Sequence, residues 1–135
     1  MLKKVVERGP SGWVLLVDSI TQVTPADSGA IVVAGSHGGT SAASYALAVP
    51  LAAVFFNDAG VGKDRAGIAA LDLLQMRGIA AGAVAHTSAR IGDAGDMWEH
   101  GVLTHVNAAA GALGLASGMP LQGALRDVLT PVRRP

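Results

Sequence analysis

Apolar positions along the chain fall in short blocks separated by polar, glycine-bearing segments. Trp13 to Val17, Ala30 to Ala34, Ala52 to Phe56 and Ile79 to Ala85 are such blocks, each short enough for a strand. Ile31-Val32-Val33 and Val54-Phe55-Phe56 do not alternate with polar residues, which is the pattern of strands covered on both faces. Between the blocks the period changes. Thr40 or Ser41 is placed to cap a helix running to about Ala48. Ile68, Leu71 and Leu74 repeat at helical spacing, and Gly78 is placed to end that helix. Val102, Leu103, Val106, Ala109, Ala110 and Leu113 predict one face of a long last helix, stopped by Gly114 or Gly118, with a short helix to follow around Gln122 to Leu129.

The remaining segments read as connections. Gly9-Pro10-Ser11-Gly12 is a turn between a charged leader and the first strand. Thr21 to Thr24 predicts a short strand stopped by Pro25, and Pro25 to Gly29 carries turn chemistry. Asp96, Glu99 and His100 fall in a polar stretch expected to be solvated.

Strand, loop, helix, repeated, predicts a single α/β domain over residues 1–135. The expected architecture is three layers around a mostly parallel sheet, swivelling β/β/α-like or Rossmann-like. In such sheets ligands bind beyond the carboxyl ends of the strands. Three polar loops fall there, over residues 35–41, 57–64 and 86–93.

The first loop is Gly35-Ser36-His37-Gly38-Gly39-Thr40-Ser41. It joins a strand to a helix start, where free N–H groups favour an anion, and its glycines permit close approach of a ligand. It has neither the Gly-Lys-Ser/Thr of a phosphate-binding loop nor the dinucleotide fingerprint. The imidazole of His37 is a candidate for proton transfer.

The second loop begins with Asn57 and Asp58 at the end of a fully apolar strand and contains Lys63. A carboxylate there is paired, or works as a base, or binds metal. The third loop holds His86, Ser88, Arg90 and Asp93. The planar fork of Arg90 suits a carboxylate or a phosphate, unless Asp93 takes it as an ion-pair partner. Ser88 becomes a nucleophile only if His86 or Lys63 lies beside it as base. His105, on the predicted last helix, reads as packed or solvated. His37, Asp58 and Ser88 are therefore the catalytic candidates. Gly35, Ser36, Gly38, Gly39, Thr40, Ser41, Asn57, Lys63, His86, Arg90 and Asp93 are the ligand-binding ones. No metal-ligand spacing is present, and no cofactor is indicated.

Composition narrows the partners. With 10 basic and 10 acidic residues and no basic stripe, no nucleic-acid partner is expected. No apolar run is long enough to span a bilayer or to form a signal core, so no membrane partner is expected and the cytoplasm is the default location. The absence of cysteine excludes disulfides and thiolate chemistry. Only 15% of residues are charged, which leaves little charge to cover the surface and points to a homo-oligomer or a partner subunit.

One layout resembles a known family. Ser28-Gly29-Ala30-Ile31-Val32-Val33-Ala34-Gly35-Ser36 leads into a serine-rich helix start. Ala52-Ala53-Val54-Phe55, the helix Ala66-Gly67-Ile68-Ala69-Ala70-Leu71 and Gly78-Ile79 follow. Over residues 28–85 this resembles the small swivelling domain of the aconitase-X (phosphomevalonate dehydratase-like) family. The resemblance implies a Gly-Ser-rich loop facing an active site, with Ser36 and Ser41 nearest to the family's serine-rich loop, and lyase chemistry. The residues themselves leave two readings open. One is an enzyme, lyase or hydrolase, acting on a small anionic metabolite. The other is a non-catalytic ligand-binding or regulatory module, or an interaction subunit of a larger enzyme.

Overall fold

The unbroken apolar runs become the centre of a six-stranded sheet in the computed structural model of the protein, which describes residues 1–131. The strands are β1 (Lys3–Gly9), β2 (Gly12–Val17), β3 (Ile31–His37), β4 (Ala53–Asn57), β5 (Ala80–Val84) and β6 (Leu103–Val106), and they lie side by side in chain order. β2 to β5 are mutually parallel. β1 and β6 pair antiparallel at the two edges, so the sheet is mixed. Parallel neighbours need crossovers. Two short 3-10 helices (Ile20–Gln22 and Pro25–Asp27) join β2 to β3, and α1 (Thr40–Leu47) joins β3 to β4. A 3-10 segment (Lys63–Ile68) running into α2 (Ala69–Gln75) joins β4 to β5. α3 (Ala94–His100) precedes β6, and α4 (Ala108–Ala112) and α5 (Leu121–Leu129) follow it.

The lack of alternation in the central strands has a direct cause. Successive side chains point to opposite faces. Val32, Val54 and Phe56 enter a core with Ala43 and Ala46 of α1 and Leu74 of α2. Ile31, Val33 and Phe55 enter a second core with Met97 and Trp98 of α3 and Leu125 of α5. Both faces are dry, so both sets of positions are apolar. The alanines of α1 allow the helix to lie close on the sheet.

Several expectations are corrected. The charged leader is a strand: β1 folds back on β2 through the Gly9–Gly12 turn and leaves Lys3 and Lys4 on an exposed edge. Charges on an edge discourage further strand pairing. Thr21 to Thr24 is not a strand, because Ser19 and Gln22 form a capping box that winds Ile20–Gln22 into a 3-10 turn. Glu99 and His100 are exposed and Asp96 partly so, as expected, but the stretch is helical rather than a connection, and its N-cap Asp93 accepts the Asp96 N–H at 2.9 Å. The cap of α1 is Gly39, with Thr40 already the first helical residue. Arg133 and Arg134 lie outside the described residues.

The largest correction concerns residues 102–113. No long helix forms there. The exposed edge of β5 takes Leu103–Val106 as an antiparallel strand, and Asn107 then starts the short α4. The Asn107 amide explains the break. Buried, it accepts from Ala81 N at 3.0 Å and Ala110 N at 2.9 Å, and donates to Leu71 O at 3.2 Å and Ile79 O at 2.9 Å. Asn107→Ala leaves these backbone groups without partners and removes a helix cap. A loss of about 2–3 kcal/mol in chemical denaturation is expected.

Candidate functional site

Because β3, β4 and β5 are parallel neighbours, the loops that follow them emerge at one edge of the sheet. Hydrogen bonds lock them into one assembly. Gly38 N donates to Asn57 O at 3.3 Å, and Asp58 N to Val84 O at 2.8 Å. Gly92 N donates to Gly35 O at 2.7 Å, and the Asn57 side chain donates to Ala89 O at 2.9 Å. Every one of the three loops is therefore tied to the other two.

The loop after β4 carries the most unusual backbone. Asn57 accepts the Ala59 N–H at 2.9 Å, a turn that its side chain closes. Ala59, Val61, Asp64 and Arg65 then have φ of 50°, 67°, 55° and 58°, and they account for every non-glycine residue of positive φ among the described residues. For the β-branched Val61 this is a strained conformation, costing on the order of 1–3 kcal/mol. It is held by Val61 N donating to Asp58 O and Gly67 N to Val61 O, both at 2.7 Å. Gly67 is needed at this point because the Asp58 carbonyl oxygen lies against it where a Cβ would stand.

At the base of this loop Asp58 is buried, with 5% exposure, and fully partnered. Its Oδ1 accepts from Gly60 N at 2.8 Å, His86 N at 3.0 Å and, in a longer bond, His86 Nδ1 at 3.3 Å. Its Oδ2 accepts the Thr104 hydroxyl at 2.9 Å. Burial pushes the carboxyl up, but the bonds from Gly60, Thr104 and His86 outweigh it and hold Asp58 below its ordinary value. Asp58 is thus an ionised acceptor. An ionised carboxylate has no hydrogen to give, so His86 Nδ1 carries the hydrogen of their bond and Nε2 is left as the acceptor nitrogen.

The His86 ring is 54% exposed and packs against Gly60. With Ala59, Arg90 and Ile91 it lines an open cavity of about 650 Å³. Arg90 enters no ion pair among the described residues; Asp93 caps α3, and Asp96 accepts the Arg90 backbone N–H at 2.8 Å. That backbone bond, and then the His100 ring beside it, hold the Asp96 carboxyl below its ordinary value.

The other candidates take different places. Ser88 Oγ donates to Ala85 O at 2.7 Å and accepts from Val102 N at 3.0 Å, a bridge between backbone segments. Ser36 Oγ accepts from Ile20 N at 3.0 Å. Gly35 and Gly38 are packing positions: a Cβ on Gly35 would stand 2.6 Å from Asp18 O, and one on Gly38 would stand 2.9 Å from Gly67 O. His37 ends β3 opposite Asn57, is exposed, and lies over Gly39, whose Cβ would stand 2.8 Å from His37 Nε2. It is not among the residues lining the His86 cavity, and neither is the exposed Lys63. Thr40 lines a different cavity with Asp64 and Arg65, and Ser41 is exposed on α1. Among the described residues no group of three His, Asp or Glu side chains is placed to hold a metal ion, and no helix is long and apolar enough to cross a membrane.

Sequence reasoning missed Thr104. The helical reading of residues 102–113 placed it on a remote element. The signal that could have found it is the β-branched content of Val102, Thr104 and Val106, which suits a strand better than a helix. No protein-family model, curated protein or solved structure matches the chain.

Proposed function

We propose that the carboxyl edge of the sheet binds a small anionic metabolite, a carboxylate or a phosphate, and that His86 exchanges a proton with it. The observation that carries this reading is the pairing of Asp58 with His86 on the wall of a cavity that also presents Arg90. The guanidinium supplies bidentate recognition of the anion. The carboxylate holds the imidazole so that Nε2 can accept a proton from a substrate carbon or from a water. Ala59 and Ile91 make the rest of the wall apolar. His37 completes the edge from the β3 side.

Proton removal beside a carboxylate is the chemistry of a dehydration. That is the reaction class of the aconitase-X family, whose swivelling domain residues 28–85 resemble. The same base serves a hydrolase. Low overall charge and the exposed Tyr45, Met76 and Leu113 support self-association, which light scattering tests.

Thermal shift with inorganic phosphate and with small mono- and dicarboxylates tests the reading. A ligand at a hundred times its Kd stabilises the protein by about 2.7 kcal/mol. Arg90→Ala is expected to abolish that shift, since no other guanidinium lines the cavity. His86→Gln is expected to keep it, because binding needs the anion contact and not the base. No shift with any of these ligands, or an undiminished shift in Arg90→Ala, would refute the proposal.

A further inference from the structure

Asp58 reaches a second histidine. Thr104 Oγ1 donates to Asp58 Oδ2 at 2.9 Å, and His105 Nδ1 lies 3.0 Å from the same hydroxyl. The other acceptor near that hydroxyl, Ala83 O, stands farther off at 3.3 Å. A hydroxyl has one hydrogen, and the nearer, charged acceptor takes it. Its remaining lone pairs can only accept, so the hydrogen of the His105–Thr104 bond belongs to His105 Nδ1. The two imidazoles face different spaces. His86 lines the cavity with Arg90. His105 lines a separate one of about 290 Å³ with Arg65, Asp72 and Ser117, and the two cavities share no lining residue.

We propose that Thr104 is a positioning residue: through it the single Asp58 carboxylate fixes the tautomers of two histidines, His86 directly and His105 at one remove, and aims the acceptor nitrogen of each ring into its own cavity. A proton relay along this chain is not implied. The carboxylate stays ionised, and a proton arriving on Oδ2 would be on the wrong oxygen for His86, which bonds Oδ1. The carboxylate instead serves as a fixed acceptor at both ends. The inference rests on the proposed function only for what His86 does with its Nε2. The tautomers themselves need no ligand.

Long-range nitrogen–proton spectra of the histidine rings in the full chain, uniformly labelled with nitrogen-15, test it at mildly alkaline pH. His86→Gln and His105→Gln assign two of the 4 histidines. In the wild type both His86 and His105 are expected to show the Nδ1–H pattern. In Thr104→Val, His105 is expected to move to the Nε2–H form while His86 keeps its pattern through the direct bond. Thr104→Ser is expected to restore His105. An Nε2–H pattern for His105 in the wild type overturns the proposal, and so does an unchanged His105 in folded Thr104→Val. If Thr104→Val does not fold, the wild-type and Thr104→Ser spectra decide alone. Because these spectra contain no ligand, failure of the anion-binding reading leaves them standing, and their failure leaves the thermal-shift result standing.

Discussion

Asp58→Ala is expected to lower stability by about 3 kcal/mol and to eliminate any proton-transfer activity at the carboxyl edge. Truncation removes the acceptor for Gly60 N, His86 N, the His86 ring and the Thr104 hydroxyl together. Bonds to a charged acceptor are worth roughly 1.5–3 kcal/mol each, and the groups left behind are only partly reached by water. The effects are not additive, since the same loop relaxes once for all of them. The backbone bonds that hold the strained loop, from Val61 N to Asp58 O and from Gly67 N to Val61 O, do not pass through the carboxylate, so strain is not part of this loss.

The charge of Asp58 also predicts a pH dependence. Its carboxyl is held below its ordinary value in the folded chain, so folding favours the ionised form. That contribution is fully present above the unfolded-state carboxylate value and is lost as pH falls through the folded value. Asp58→Asn keeps the shape and removes the charge. Denaturant midpoints measured across the acid range should fall less steeply in Asp58→Asn than in the wild type. Some slope should persist, because Asp27 is depressed as well. Burial pushes Asp27 up, but the Thr24 N–H and the Lys3 ammonium bring it below its ordinary value. Equal slopes for wild type and variant would show that Asp58 is not the ionised anchor described here.

Gly35→Ala is expected to cost about 3 kcal/mol, the upper end of what overpacking does, and to lower Tm by about 10 °C. A Cβ there would stand 2.6 Å from Asp18 O, 2.7 Å from the Gly92 carbonyl carbon and 2.8 Å from Asp93 N. All three are backbone atoms of other segments, and none can rotate away. Relief requires separating β3 from the third loop. That breaks the 2.7 Å bond from Gly92 N to Gly35 O and disturbs the bond from Ala94 N to Asp18 Oδ1 at 3.0 Å. Gly39→Ala is the control. Its new Cβ would crowd the exposed ring of His37, which can swing aside, and would meet Ala66 O only at an ordinary 3.7 Å, and its φ of −84° suits any residue. A loss below about 1 kcal/mol is expected for Gly39→Ala. If thermal melts place the two variants together, the three loops are not locked as described.

The comparison between these glycines shows where sequence reading stops. The Gly-Ser-rich segment after β3 reads as a ligand loop because glycine permits close approach of a ligand. Gly35 and Gly38 do allow close approach, but what approaches is backbone from distant parts of the chain. Ser36 and Ser88 read as available hydroxyls, yet each is engaged by a backbone N–H, Ile20 in one case and Val102 in the other. A hydroxyl's partners are set by segments that come together only on folding, and spacing along the chain carries no record of them.

The chain determined by itself the strands that are apolar on both sides, from Trp13 to Val84, because a strand covered on two faces cannot afford polar alternation. It also determined that the polar residues after those strands share one edge, since parallel neighbours start their loops on the same side. Tertiary structure alone decided the rest. Residues 103–106 became a strand because β5 had an open edge to satisfy, and only that placement brought Thr104 to Asp58, while folding of the third loop brought His86 to the same carboxylate. The physical reason is range. Periodicity reports which face of an element is dry. The partner of a buried charge is chosen by groups 28 and 46 positions away in sequence, which meet it only in the folded chain.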